Sequence, residues 1–255
     1  MKTFFSKGWR SLLVLLLLFI AWELIIKIMG IPEWLLPAPS KIFTEAFINW
    51  SDLTVHLLST VNLSVTGFII GTCIGLLTAV LLYLIPFLKE SLYPLLILSQ
   101  NIPTIVLAPL LVIWFGFGML PKIIVITLVC FFPVTVAALD GFKQTPTELK
   151  HYLYMAGATK RQIFWKLEFP YALPSIFSGV KISATYSVMG AVISEWLGAK
   201  AGIGVYMTLA SSSFRTDRVF VAIFAIMILS LLFFAIIRML ERLVVRWHDQ
   251  GDDSI

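Results

Sequence analysis

From Ser11 to Met29 the chain runs through about 19 residues, the length that crosses a bilayer, with only Glu23 and Lys27 charged. Runs of this kind return five more times. A hydrocarbon core about 30 Å thick takes about 20 helical residues at 1.5 Å each, so every one of them is long enough to span it. Cut at polar residues, prolines and glycines, the six fall at 11–29, 58–85, 92–115, 120–139, 172–197 and 218–240. Composition points the same way, with 59% of residues hydrophobic and 13% charged, whereas a soluble domain carries about 25% charged residues to coat its core. The first run follows a basic start (Lys2, Lys7, Arg10), but it is longer than a signal-peptide core and no A-x-A site follows it, so it reads as a membrane helix. The expectation is an all-α membrane protein with six transmembrane helices.

An even number of spans puts both termini on one side. Of the 19 Lys and Arg residues, twelve fall in 1–10, 86–91, 140–170 and 238–255, five fall in the opposite connections, and Lys27 and Lys181 lie within spans. The positive-inside bias therefore places both termini in the cytoplasm. The net charge of +5 reports this loop asymmetry and implies no nucleic-acid partner. Residues 1–57 form an N-terminal unit, a membrane helix followed by an outer segment in which Ser40 to Trp50 reads as a short amphipathic helix with Ser40 as N-cap. Residues 58–250 form the core.

Within the spans, the third is interrupted by Pro103 and Pro109, which with Asn101 suit a helix broken inside a bundle. Gly67, Gly71 and Gly75 make a small-residue ridge for close helix packing. Ionisable groups at depth are costly. Glu23 and Lys27 read as an i,i+4 pair. Lys181 and Glu195 are fourteen residues apart, which puts them within about 40° of one face and about 21 Å apart along the fifth span. With Thr185 and Tyr186 they are candidate lining for a solute path, alongside Asn101 and Pro103.

The connection from 140 to 170 is too apolar for a solvated loop and too short and charged to span. Pro146 and Thr147 open a helix that breaks at Gly157, and a second helix follows with Ile163, Phe164 and Leu167 interleaved with Lys160, Arg161 and Lys166. Gly157 allows the positive φ of an elbow between them. Such a block suits docking onto another protein.

This segment resembles the cytoplasmic loop of permease subunits of bacterial binding-protein-dependent ABC importers, whose signature is E-A-A, three residues, Gly, nine residues, Ile, one residue, Leu-Pro. With its glycine on Gly157, the Ile position falls on Leu167 and Leu-Pro on Phe169-Pro170, while E-A-A falls on His151, Tyr152 and Leu153, which depart from it. LLPAPSKIF, NIPTIVLAPLLVIWFGFG, FFPVTVAALDGFK and VISEWLGAKAGIGVYM extend the resemblance to the nitrate, sulfonate and taurine branch. SEWLGAKAGIGVYM with SSSFRTDRVF looks most like permeases for pyrimidine precursors of thiamine.

The resemblance implies a type I ABC importer permease (MetI-like) fold in the cytoplasmic membrane. It implies a homodimer with the solute route at its axis, two copies of a separate ATPase subunit and an extracytoplasmic solute-binding protein. The coupling segment 140–170 would meet the ATPase through His151, Tyr152, Leu153, Ala156, Gly157, Ala158, Thr159 and Lys160, with Leu167 and Pro170 completing the motif. The solute would be a pyrimidine precursor, or alternatively a sulfonate, taurine or nitrate. No G-x-x-x-x-G-K-[ST] loop occurs in this chain, so ATP hydrolysis is expected in the partner. No catalytic residue, cofactor or metal is expected, because His56, His151 and His248 stand far apart without ligand spacing. A secondary transporter, the rival from another class, would need several ionisable groups near the midplane and often shows an inverted repeat, and neither is found.

Overall fold

The computed structural model describes residues 2–245, with side chains from Trp9 onward. Its elements in chain order are α1 (Lys2–Met29), α2 (Pro39–Ile48), α3 (Trp50–Leu84), α4 (Pro86–Ser99), α5 (Thr104–Phe115), α6 (Met119–Lys143), α7 (Thr147–Met155), α8 (Lys160–Ile163), a π-helical turn (Phe164–Glu168), α9 (Phe169–Glu195), α10 (Ile203–Ser212) and α11 (Thr216–Val244). The described residues contain no strand. His248 and Arg246 lie outside them.

Among the described residues, five segments are long and apolar enough to cross a membrane alone, and the sixth expected span is the pair α4–α5, bent by 99°. The break falls at Gln100–Pro103, with Pro103 as N-cap of α5, whereas Pro109 lies inside α5 and the helix continues through it. The expected break is thus a near right-angle turn at Pro103 alone, since α5 runs on through Pro109. α3 starts at Trp50, about two turns before the apolar run at 58, because Asp52 in its first turn complements the positive end of the helix dipole. A division at residue 57 therefore falls within a helix.

α6 is the central helix, packed against α3 and α9. Its Val134, Ala138, Leu139 and Phe142 meet Ala79 and Leu82 of α3 and Ala172 and Ile176 of α9 in the largest buried cluster. In lipid, burial of apolar surface does not drive helices together; close van der Waals packing does, and small residues permit it. A Cβ on Gly71 would stand 2.7 Å from the Cβ of Cys130, and one on Gly75 would stand 2.9 Å from the Phe131 carbonyl oxygen. Gly71→Leu should therefore push α3 off α6 and cost about 1–3 kcal/mol or more. The expected readout is a lower melting temperature in detergent, with Gly118→Ala unchanged because nothing lies within 4 Å of a Cβ there.

At the end of the bundle away from α7, α2 is the amphipathic helix expected from Ser40 onward, but its N-cap is Ala38 and Ser40 does not cap it. Instead the Glu23 carboxylate of α1 accepts from the Ser40 N–H (3.1 Å) and the Ser40 hydroxyl (2.8 Å). An ionised acceptor at the helix N-terminus satisfies an orphan donor and complements the dipole better than the serine's own hydroxyl. Glu23 also pairs with Lys27 at 2.9 Å, as the spacing suggests. Glu45, buried in α2, accepts from Arg215 (2.7 Å), Arg218 (2.8 Å) and Asn49 (2.7 Å), which ties α2 to the start of α11.

Candidate functional site

The elbow between α7 and α8 is built locally. α7 ends in a Schellman turn: the Gly157 N–H donates to the Tyr154 carbonyl and the Ala158 N–H to the Leu153 carbonyl, both at 3.0 Å, with Gly157 at φ +85°. No atom lies within 4 Å of a Cβ placed on Gly157, so backbone conformation, and not space, requires glycine. Two residues later Thr159 opens α8 with a capping box, its hydroxyl accepting from the Gln162 N–H (3.3 Å) while Gln162 Oε1 accepts from the Thr159 N–H (2.8 Å). Stop and start signals in immediate succession fix the direction of α8 relative to α7. Gln162 is absent from the sequence-derived candidates, although the T-x-x-Q spacing carries its signal.

α7 contains no buried residue. Tyr152 is 71% exposed and Met155 90%, so apolar side chains stand open at a place outside the membrane-spanning segments. His151, Tyr152, Ala156, Gly157, Thr159 and Lys160 are exposed, and Leu153 and Ala158 are half-buried beneath them. Leu167 and Pro170, also half-buried, sit farther along at the junction with α9. The structure thus gathers the first eight at one exposed corner.

After the elbow the chain turns inward. Ile163 and Phe164 are buried, and the Phe164 ring packs 5.4 Å from Phe142 and 5.9 Å from Tyr83. The π turn that follows adds a residue to the helical turn and brings Glu168 inside. There its carboxylate accepts from Lys150 Nζ at 2.7 Å and from the Tyr83 hydroxyl at 2.8 Å, while Lys150 also donates to Tyr83 at 3.2 Å. Partial burial alone would lower the Lys150 ammonium pKa, but Glu168 and Tyr83 outweigh it and hold it above the ordinary lysine value. Neither Lys150 nor Glu168 is among the sequence-derived candidates.

The path candidates lie in four places. Asn101 and Pro103 are exposed at the α4–α5 bend. On α9, Tyr186 is exposed and Thr185 half-buried. Lys181 forms a bidentate pair with Glu241 of α11 at 2.8 and 3.0 Å, and Glu195, 1% exposed, points into the bundle about 180° around α9 from Tyr186. Lys181 and Glu195 find their partners on different elements and do not form one lining. Ser183 and Ser187 face inward, and the Ser183 hydroxyl donates to the Cys130 carbonyl at 2.7 Å.

Glu195 instead closes a buried helix start. Its carboxylate accepts from the Gly204 N–H of α10 and from the Thr60 hydroxyl, both at 2.8 Å. Thr60 Oγ1 in turn accepts from the Ile203 N–H at 2.8 Å, and His56 Nδ1 lies 3.1 Å from the Gly202 nitrogen. The Ile203 and Gly204 amide donors at the N-terminus of α10 are thus met by side chains of α3 and α9. Among the described residues no group of three or more His, Cys, Asp or Glu side chains is placed to hold a metal ion.

Residues 71–246 match the family model described as binding-protein-dependent transport system inner membrane component. The chain is 36% identical to the formylaminopyrimidine transport permease protein ThiX of Halalkalibacterium halodurans, across 92% of this chain and 94% of that one. It is 32% identical to the riboflavin transport system permease protein RibX of Chloroflexus aurantiacus, across 92% and 88%. An inward-facing structure of the MetNI methionine ABC transporter superposes with a TM-score of 0.63 over 78% of this chain and 96% of that one; at 20% identity it shows the shared fold. The chain belongs to the binding-protein-dependent transport system inner membrane component family and is a multi-pass inner-membrane permease subunit of an ABC importer, working with a solute-binding protein and with a separate subunit that hydrolyses ATP.

Proposed function

We propose that this permease imports an uncharged heterocycle of the formylaminopyrimidine class, as a homodimer whose solute route runs along the dimer axis. Each protomer meets one ATPase subunit through the α7–α8 elbow, with the termini and the elbow in the cytoplasm and α10 toward the binding protein. Closure of the two ATPases on ATP moves the elbows inward and switches the spans from inward to outward opening, so that solute handed over by the binding protein can enter. Asn101, Pro103, Thr185 and Tyr186, exposed or half-buried in the protomer, line the route, and Lys181 and Glu195, bonded within the bundle, shape its wall. The transport core begins with α3, at Trp50 and not at residue 58, and α1 with α2 is an addition to it, a reading supported by a family match that begins at residue 71.

The observation that carries the solute reading is the 36% identity to a formylaminopyrimidine permease over 92% of the chain. The charge arrangement supports it. An anion such as a sulfonate or nitrate needs a cation to meet it, and Lys181, the basic residue the sequence places deepest in a span, is neutralised by Glu241. Proteoliposomes holding the permease, its ATPase and its binding protein should take up labelled formylaminopyrimidine when ATP is supplied, with excess unlabelled pyrimidine competing and taurine not. Uptake of taurine or nitrate with no pyrimidine uptake would reject the solute assignment. Docking is tested separately, by crosslinking the ATPase to a cysteine placed at Ala158 or Thr159 in a chain lacking Cys73 and Cys130.

A further inference from the structure

We propose that Lys150, Glu168 and Tyr83 form the joint through which movement of the elbow reaches the membrane helices. This rests on the reading that the ATPase docks at α7. The three residues come from three elements: Lys150 from α7, Glu168 from the π turn directly before α9, and Tyr83 from the last turn of α3. α7 buries none of its residues, and it is joined to its neighbours only by the turns at 144–146 and 156–159. A helix hinged at both ends, with none of its residues fully buried and only Lys150 and Leu153 half-buried, can swivel when pushed. Among the described residues, Lys150 is the α7 side chain that bonds to the spans.

The joint is suited to bearing load. The Lys150 and Glu168 side chains are 23% and 10% exposed, so water and salt screen the pair less than they screen a surface pair. Tyr83 braces both partners, donating to Glu168 and accepting from Lys150. Its ring is held in turn by Phe142 at 5.0 Å and Phe164 at 5.9 Å. Because Phe142 lies in the last turn of α6 and Glu168 leads into α9, a displacement of Lys150 is delivered to α3, α6 and α9 together, the helices of the central packing.

Lys150→Met, Glu168→Gln and Tyr83→Phe permeases, each assembled with the ATPase and the binding protein in proteoliposomes, test this when uptake and ATP hydrolysis are measured on the same vesicles. The expected result is hydrolysis near wild type and uptake down by about tenfold for Lys150→Met and Glu168→Gln, within the range of coupling between distant sites. ATP consumed per solute carried would then rise, with a smaller rise for Tyr83→Phe. The exchange Lys150→Glu with Glu168→Lys should recover part of the uptake. An unchanged ratio of ATP to solute in all three variants, with the ATPase still crosslinked at Ala158, overturns the joint while leaving the docking intact. A parallel fall of uptake and hydrolysis also overturns it, since that is the outcome for a merely structural pair. Absence of the Ala158 crosslink in the unaltered permease removes the docking reading itself. Should Lys150→Met or Glu168→Gln fail to yield a monodisperse protein, Tyr83→Phe, which loses a single hydroxyl, decides the question.

Discussion

Gly157→Ala lowers ATP-driven uptake by about 5–30-fold, and Gly157→Asn keeps most of it, with the melting temperature of both variants close to that of the unaltered permease. The range follows from the cost of a left-handed conformation for a residue with a Cβ, about 1–2 kcal/mol, read as a population ratio. Asparagine tolerates the left-handed region better than alanine because its side chain can bond to the local backbone. The discrimination between the two variants is the informative part, since asparagine is the larger and open space surrounds the position. A steric role would rank them the other way. The melting temperature is spared because the elbow contributes nothing to the buried cluster of α3, α6 and α9. Uptake falls because relief of the strained φ turns α8 out of line with α7 and spoils the corner proposed to meet the ATPase. Equal uptake by the alanine and asparagine variants would show that the positive φ of Gly157 has no bearing on transport.

That elbow was legible in the sequence because every interaction defining it is local. The Schellman bonds and the capping box lie within Leu153–Gln162, and glycine followed two residues later by Thr-x-x-Gln announces both. The spans were legible for a different reason: hydropathy over about 20 residues averages out detail that a shorter window would misread. Features decided by distant partners were not legible. Ser40 precedes an amphipathic run as an N-cap would, but Glu23, seventeen residues earlier, takes over the capping. The helical wheel put Lys181 and Glu195 near one face, yet Glu241, sixty residues from Lys181, and Thr60, 135 residues from Glu195, determine what each group does. The bend at Gln100–Pro103 was marked by proline, but its 99° angle is not encoded in any local pattern. Glu168 was missed because the π turn changes which residues face inward, which a 3.6-residue period does not anticipate, and Lys150 because its partners Glu168 and Tyr83 stand 18 and 67 residues away.

Three variants at the start of α10 separate support from solute handling. Gly202→Ala abolishes recovery of folded permease: a Cβ there overlaps the carboxyl group of Glu195, and the backbone at φ +134° is one that residues with side chains rarely adopt. The overlap cannot relax, because the Glu195 carboxylate is held in place by the Thr60 hydroxyl and the Gly204 N–H. Glu195→Ala removes that acceptor and leaves the Gly204 N–H unpaired in a dry site, costing about 1–3 kcal/mol for the orphaned donor, while the Thr60 hydroxyl keeps the His56 carbonyl (3.2 Å) and the Ile203 N–H (2.8 Å) as partners. A clear fall in melting temperature follows, and uptake falls with it. Glu195→Gln keeps the shape; its amide oxygen can accept from Gly204 while its NH2 group donates to Thr60 Oγ1. Stability and uptake near wild type are expected for this variant, because the bonds call for an acceptor at Gly204 and a polar partner at Thr60 and do not call for a charge. Loss of uptake by Glu195→Gln at unchanged melting temperature would mean that the negative charge acts on the passing solute, and would move Glu195 from the wall of the route to its lining.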